Sequence, residues 1–315
     1  MNIDAVAPEL WRAVARMPRL PVRRAWGRRV VRALVVRHGP GEPVEGVDVR
    51  VLGEGRGLRV YTPAGGGSRA ALLWVHGGGY VIGDVVQDDA FCALTARESG
   101  LVVVSTNYRL APEHPFPAAL DDVSAAWRWV RESAGSLGVD PARLAVGGAS
   151  AGAGLAACLA QRLYDAGGVQ PVGQWLFSPM LDDRTAALRE LDDVRHRVWH
   201  NSANRTGWAA YLGTGPGASR TPDHAVAARR ADLSGLPPAW IGVGDIDLFA
   251  DECRTYADRL RDAGVHCAFD LVPGAPHGFE TWAPGTRIAR ALLERGRAWL
   301  RARLAGPAST PPGGA

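Results

Sequence analysis

Ser150, Asp247 and His277 each sit just past a short apolar run, and together they have the side chains that nucleophilic acyl chemistry needs. Ser150 lies in Gly148-Ala149-Ser150-Ala151-Gly152, between a short apolar strand pattern and an alanine-rich helix pattern. That placement predicts a sharp strand-to-helix turn that pushes the hydroxyl into the open. Small flanking residues are needed there because the turn strains the backbone at Ser150 and brings strand and helix too close for a side chain at Gly148 or Gly152. Glycine, alanine and serine are common in this chain, so the five residues alone are a weak signal. Their weight comes from the strand before and the helix after.

A serine needs a base and the base needs an orienting acid, and later strand ends supply both. His277 falls in Pro273-Gly274-Ala275-Pro276-His277-Gly278-Phe279, a loop that can bend a ring back over a sheet edge. His196, His200, His224 and His266 compete, but none of them combines a strand end with such a loop. For the acid, Asp245, Asp247 and Asp251 crowd one turn; Asp251 suits a helix cap, and Asp247 and Asp245 both remain open. A negative oxygen formed in the reaction also needs donors. His76-Gly77-Gly78-Gly79-Tyr80 offers bare backbone amides straight after a strand, so Gly78 and Gly79, with the amide of Ala151, are the expected oxyanion hole. Each such donor contributes on the order of 3 kcal/mol to the transition state. A phosphate-binding loop is the rival reading of these glycines, but neither Gly-Lys-Ser/Thr nor GxGxxG accompanies them.

These residues must be carried by a sheet. Residues 47–52 and 57–61 read as two strands of a hairpin around the stretch Gly53 to Gly57. Further apolar strands are expected near 71–75, 101–106, 143–147, 172–177, 239–243 and 266–272, with helices between most of them. This alternation predicts an α/β fold with an eight-stranded, mostly parallel sheet covered on both faces, and it places ligands at the carboxyl ends of the strands. Residues 1–45 and about 180–235 break the alternation and are expected to form a helical lid, or cap, on a catalytic domain spanning 46–305. Trp199 and Trp208 are the expected pocket wall in that lid. Residues 306–315, rich in proline, glycine and serine, are expected to be disordered.

Composition bounds the rest. The 315 residues are 47% hydrophobic and 22% charged, as in ordinary globular chains, and no apolar run reaches bilayer length. All 36 basic residues are arginine, which carries no functional weight by itself. Nine of them, Arg12 to Arg37, lie in the first 38 residues against Asp4 and Glu9, a surplus larger than the whole chain's +4. That could be an arm for nucleic acid. A docked helix is the better reading, because Trp26, Val30, Val31, Leu34 and Val35 form a helical apolar stripe with the arginines on its solvated face. No nucleic-acid partner and no stable membrane insertion are expected. Cys92, Cys158, Cys253 and Cys267 show no close pairing, the first three falling in helical patterns, and no secretion signal is visible. A reducing, cytoplasmic location is expected.

With HGGGY at 76–80 and GASAG at 148–152, the chain resembles the hormone-sensitive-lipase-like group of α/β hydrolases. The segment Tyr108-Arg109-Leu110-Ala111-Pro112-Glu113 resembles that group's YRLAPE segment, and Asp247 to Glu252 resembles its DxLxDE segment. The resemblance assigns the acid to Asp247. It implies the α/β-hydrolase fold and hydrolysis of short- to medium-chain carboxylic esters through an acyl-serine intermediate, with no metal or cofactor. It also implies that His76 is architectural and that Tyr108, Arg109 and Glu113 form one polar network near the site. Group members often pair as homodimers. Ala149 stands where many members carry aspartate. An amidase or deacetylase on the same three side chains, and a non-catalytic receptor for small molecules, are the alternatives.

Overall fold

Eight strands form one sheet in the order β1-β2-β4-β3-β5-β6-β7-β8. They are β1 (Val47–Leu52), β2 (Leu58–Pro63), β3 (Ala71–Val75), β4 (Val102–Thr106), β5 (Leu144–Ala149), β6 (Gln174–Phe177), β7 (Ala239–Gly244) and β8 (Cys267–Val272). β1 and β2 pair antiparallel, as do β2 and β4, and every other pairing is parallel. The computed structural model describes residues 3–17, 20–53, 57–65, 67–194 and 196–305. The expectations for the tail from Gly306, and for residues 54–56 of the hairpin turn, lie outside them.

The helices are α1 (Trp11–Arg16), α2 (Ala25–His38), α3 (Asp89–Ser99), α4 (Ala118–Glu132), α5 (Ala151–Asp165), α6 (Asp183–Ala187), α7 (Asn201–Leu212), α8 (Ala250–Asp262), α9 (Phe279–Trp282) and α10 (Arg287–Leu304). The central strands β3 and β4 are buried at every residue, which is why they read as unbroken apolar runs rather than alternating ones. Their side chains still alternate between two cores. Leu73 and Val75 join the layer of α4, α5 and α8, whereas Leu72 and Trp74 join that of α3 and α10. Trp74, Phe91, Trp175, Phe177 and Trp240 cluster in the second core with ring centroids 4.5–6.3 Å apart. Full burial of one such large apolar side chain stabilises the fold by about 1.5–3 kcal/mol.

β3 is flanked by β4 on one side and β5 on the other, so the strand order reverses there. At such a switch the two connections leave in opposite directions and a crevice opens at the carboxyl ends. The loops following β3, β5, β7 and β8 all emerge at that end, and they carry the glycine run, Ser150, Asp247 and His277.

The N-terminal helix differs from its expected pose. Gly27 and Val31 of α2 are buried and Val35 packs on the core, while Trp26, Val30 and Leu34 stand exposed. Both sets recur every four residues, so periodicity could not choose between them. Gly27 decides it: a Cβ there would lie 2.1 Å from the Pro21 carbonyl oxygen, so only a glycine ridge fits against that turn. The buried side also holds an arginine. Arg32 donates to the carbonyls of Val81 (2.8 Å) and Ala111 (2.8 Å) and pairs with Glu113 (3.0 Å).

Candidate active site

Ser150 follows β5 with φ 55° and ψ −120°, a conformation that L-residues occupy only when the surroundings force it. Its N–H donates to the Phe177 carbonyl (2.8 Å) and its carbonyl accepts from Met180 and Gly154 (both 3.0 Å). The turn leaves no room beside it. A Cβ at Gly148 would come within 2.6 Å of the Val75 carbonyl oxygen, and one at Gly152 within 2.2 Å of the same atom.

The structure brings the three separated side chains together. His277 Nε2 lies 3.0 Å from Ser150 Oγ, and His277 Nδ1 lies 2.8 Å from Asp247 Oδ2. All three residues are buried. With the proton on Nδ1 donated to Asp247, Nε2 is the acceptor for the Ser150 hydroxyl. Burial alone would lower the imidazole pKa, but the charge and hydrogen bond of Asp247, aided by Glu280, outweigh it and leave it raised. Asp247 is fixed in turn by the Phe249 N–H, which donates to Oδ1 (3.0 Å).

Asp245, the other open candidate, accepts from the Gly274 N–H (2.7 Å) and so ties the β7 end to the histidine loop. Asp251 lies in the first turn of α8, where no side-chain cap bond forms, so it acts there through its charge and does not cap. Among the other histidines, His200 caps α7 by accepting from Ala203 N (3.1 Å), and His224 pairs with Asp165 (2.7 Å). His266 precedes β8 at the opposite end of that strand from the site. Burial lowers the pKa of His196, and the Asp247 carboxylate partly offsets this.

The loop after β3 has Gly78 at φ 127° and Gly79 at φ 58°, both costly for a residue with a Cβ. Among the described residues no carbonyl accepts from the N–H of either, and Ala151 is the first residue of α5, where a helical N–H has no partner within its own helix. The loop is held from behind. His76 stacks on Tyr108 (4.3 Å), whose hydroxyl donates to the His76 carbonyl (3.1 Å). Ala111 N donates to the Tyr80 carbonyl (2.9 Å). The expected single network of Tyr108, Arg109 and Glu113 is instead three separate anchors, since Arg109 pairs with Asp122 (2.8 Å) and Glu113 with Arg32. Each side chain reaches a different element, so no shared cluster can form.

Trp199 lies on the glycine loop, where a Cβ at Gly79 would stand 2.3 Å from its ring. Trp208, expected beside it as pocket wall, is instead fully buried core against Tyr80 (5.2 Å) and Tyr211 (6.0 Å). It lies on the inner face of α7, a facing that tertiary packing sets.

Gly244 and Glu280 carry no motif signal, and Glu252 enters the sequence reading only as the end of the DxLxDE-like segment. A Cβ at Gly244 would lie 1.7 Å from the Ala275 carbonyl oxygen, so the acid and base loops touch there. Glu252 accepts from Leu181 N (2.7 Å) and Asp182 N (3.2 Å), tying α8 to the chain that follows β6. Glu280 is a buried carboxyl with neither oxygen hydrogen-bonded among the described residues, and burial pushes it up to about 7. Among the described residues no group of three or more His, Cys, Asp or Glu side chains could hold a metal ion, and no helix is long and apolar enough to cross a membrane.

The family described as alpha/beta hydrolase fold matches residues 72–281, from β3 through the histidine loop into α9. The chain belongs to this family, in its hormone-sensitive-lipase-like group. It is similar to the carboxylesterase NlhH of Mycobacterium tuberculosis, 36% identical over 253 residues that cover 78% of each chain. The carboxylic ester hydrolase LipN of the same organism is 37% identical over 256 residues, 76% of this chain and 66% of that one. Among solved structures, a bacterial heroin esterase superposes with a TM-score of 0.89 at 34% identity, covering 96% of this chain and 99% of that one. Esterase LipW from Mycobacterium marinum gives 0.84 at 32%, covering 96% of each.

Proposed function

We propose that this chain is a serine carboxylesterase that cleaves short- to medium-chain carboxylic esters through an acyl-serine intermediate. The observation that carries the reading is the unbroken hydrogen-bonded line from Ser150 through His277 to Asp247. His277 Nε2 takes the hydroxyl proton as Ser150 Oγ bonds to the ester carbonyl carbon, and Asp247 holds the resulting imidazolium in place. The carbonyl oxygen, now negative, accepts from the amides of Gly78, Gly79 and Ala151. His277 then protonates the departing alcohol as the ester C–O bond breaks. Water repeats the sequence, giving its proton to His277 and its oxygen to the acyl carbon, and the free acid leaves Ser150 regenerated.

Residues 1–45 and about 180–235 are two parts of one cap on a catalytic domain of 46–305, a reading supported by Trp199 lying on the glycine loop. The four free, buried cysteines suit a reducing compartment such as the cytoplasm, and pairing as a homodimer carries over from the resemblance. Ser150→Ala lowers turnover of p-nitrophenyl butyrate by about a million-fold if the three side chains act as a unit. A fluorophosphonate probe labels the parent and not the variant. Hydrolysis retained in Ser150→Ala overturns the reading, and a parent that binds esters but resists the probe is a receptor.

A further inference from the structure

A cavity of about 1120 Å³ lies between the N-terminal segment, through Val14, Met17 and Arg23, and the segment from Arg189 to Ala209. Ser150 is not among its walls. Its boundary with the reacting centre is the chain 196–200, in which Trp199 lies on Gly79 while Val198 and His200 face the cavity. The volume exceeds the roughly 300–1,000 Å³ of ordinary small-molecule sites, more than a short acyl chain needs.

Its charge is one-sided. Among the described residues four guanidiniums line it, those of Arg23, Arg189, Arg197 and Arg205, against the single carboxylate of Asp192. Asp192 is already engaged by Arg189 (3.1 Å) and Arg205 (2.6 Å). Arg23 and Arg197, one from each walling segment, have no acidic partner among the described residues. One further feature points the same way. His196, also in the wall, keeps a buried Nδ1 with no hydrogen-bond partner among the described residues. A wall with two unpaired guanidiniums and an unused ring nitrogen fits an anion.

Resting on the esterase reading above, we propose that this cavity binds a carboxylate or phosphate on the part of the substrate remote from the scissile bond, so that the preferred esters are acidic ones. Arg23 and Arg197 are the specificity-determining residues. Their charge also draws such esters toward the site.

The test uses two matched pairs on the full chain. The carboxylate pair is the p-nitrophenyl half-ester of glutaric acid against p-nitrophenyl pentanoate. The phosphate pair is 1-butyrylglycerol 3-phosphate against 1-butyrylglycerol. The readout is the ratio of kcat/KM, charged over neutral, within each protein. The proposal expects a ratio of about ten or more in at least one pair, and which pair shows it identifies the anion. It also expects Arg23→Gln and Arg197→Gln each to pull that ratio several-fold toward unity, through KM rather than kcat. Neutral esters favoured in both pairs, or a ratio that neither variant moves, overturns the proposal and leaves the esterase reading standing. Absence of hydrolysis in all four esters together with absence of probe labelling overturns the esterase reading itself.

Discussion

Glu280 lies in the second position of α9, three residues past His277, buried and without a hydrogen-bonding partner for either oxygen among the described residues. Its charge favours the imidazolium of His277, whose pKa stands above its ordinary value. The base works only when neutral, so kcat/KM rises with pH through that raised titration. Glu280→Gln removes the charge, and the acid limb of the pH profile then moves to lower pH. An acid limb that stays in place refutes the coupling. A thermal melt gives a second readout. The folded state holds the Glu280 proton up to about pH 7, whereas an unfolded glutamate loses it near 4.5. Stability from this group is therefore lost as pH rises from about 4.5 through 7. The glutamine variant melts higher than the parent at pH 8 and close to it at pH 4.5. At this scale the sequence spoke clearly for Ser150 and His277, whose surroundings carry local signals. It was silent on Glu280, since one glutamate in a helix pattern looks like any other until burial is known.

Elements place the candidate site by where they stop. β3, β5, β7 and β8 end at one rim, and the turns leaving them are short because their backbones touch. Gly152 approaches Val75, and Gly244 approaches Ala275. A Cβ at Gly244, 1.7 Å from a carbonyl oxygen, must push the histidine loop away from Asp247. Gly244→Ala is expected to lower kcat by about a hundredfold, as a shift near 1 Å in a reacting group can do, and to destabilise the fold by about 1–3 kcal/mol through overpacking. Activity measured beside a denaturation curve checks this, and an alanine variant with parental kcat rules it out. Strand positions were legible within a few residues because buried parallel strands are short apolar runs with clear ends. The facing of α2 was not, because two of its ridges were apolar and only packing chose between them.

At the scale of the whole molecule, the N-terminal segment reaches across the chain to the glycine loop. Arg32 holds the carbonyls of Val81 and Ala111, flanking Tyr80 and its anchor, and Ala7 N donates to the Gly274 carbonyl of the histidine loop (2.8 Å). Arg32→Ala leaves two carbonyls and Glu113 without their donor. Loss of these charge-assisted bonds weakens docking of α2 by about 1–3 kcal/mol. Limited proteolysis then cuts within residues 1–45 faster than in the parent, while the melt of the main sheet changes little. Equal cutting rates show that α2 is held by apolar contact alone. The sequence by itself determined the order of strands and helices, the serine turn, the histidine loop and the glycine run, because each is a local pattern of small, apolar and turn-forming residues. The resemblance had assigned the acid to Asp247, but only the tertiary structure decided that Asp245 braces the histidine loop, and which ridges of α2 face inward. The same holds for the gathering of arginines from distant segments around one cavity. Those outcomes depend on distances between residues far apart in the chain, which no local pattern encodes.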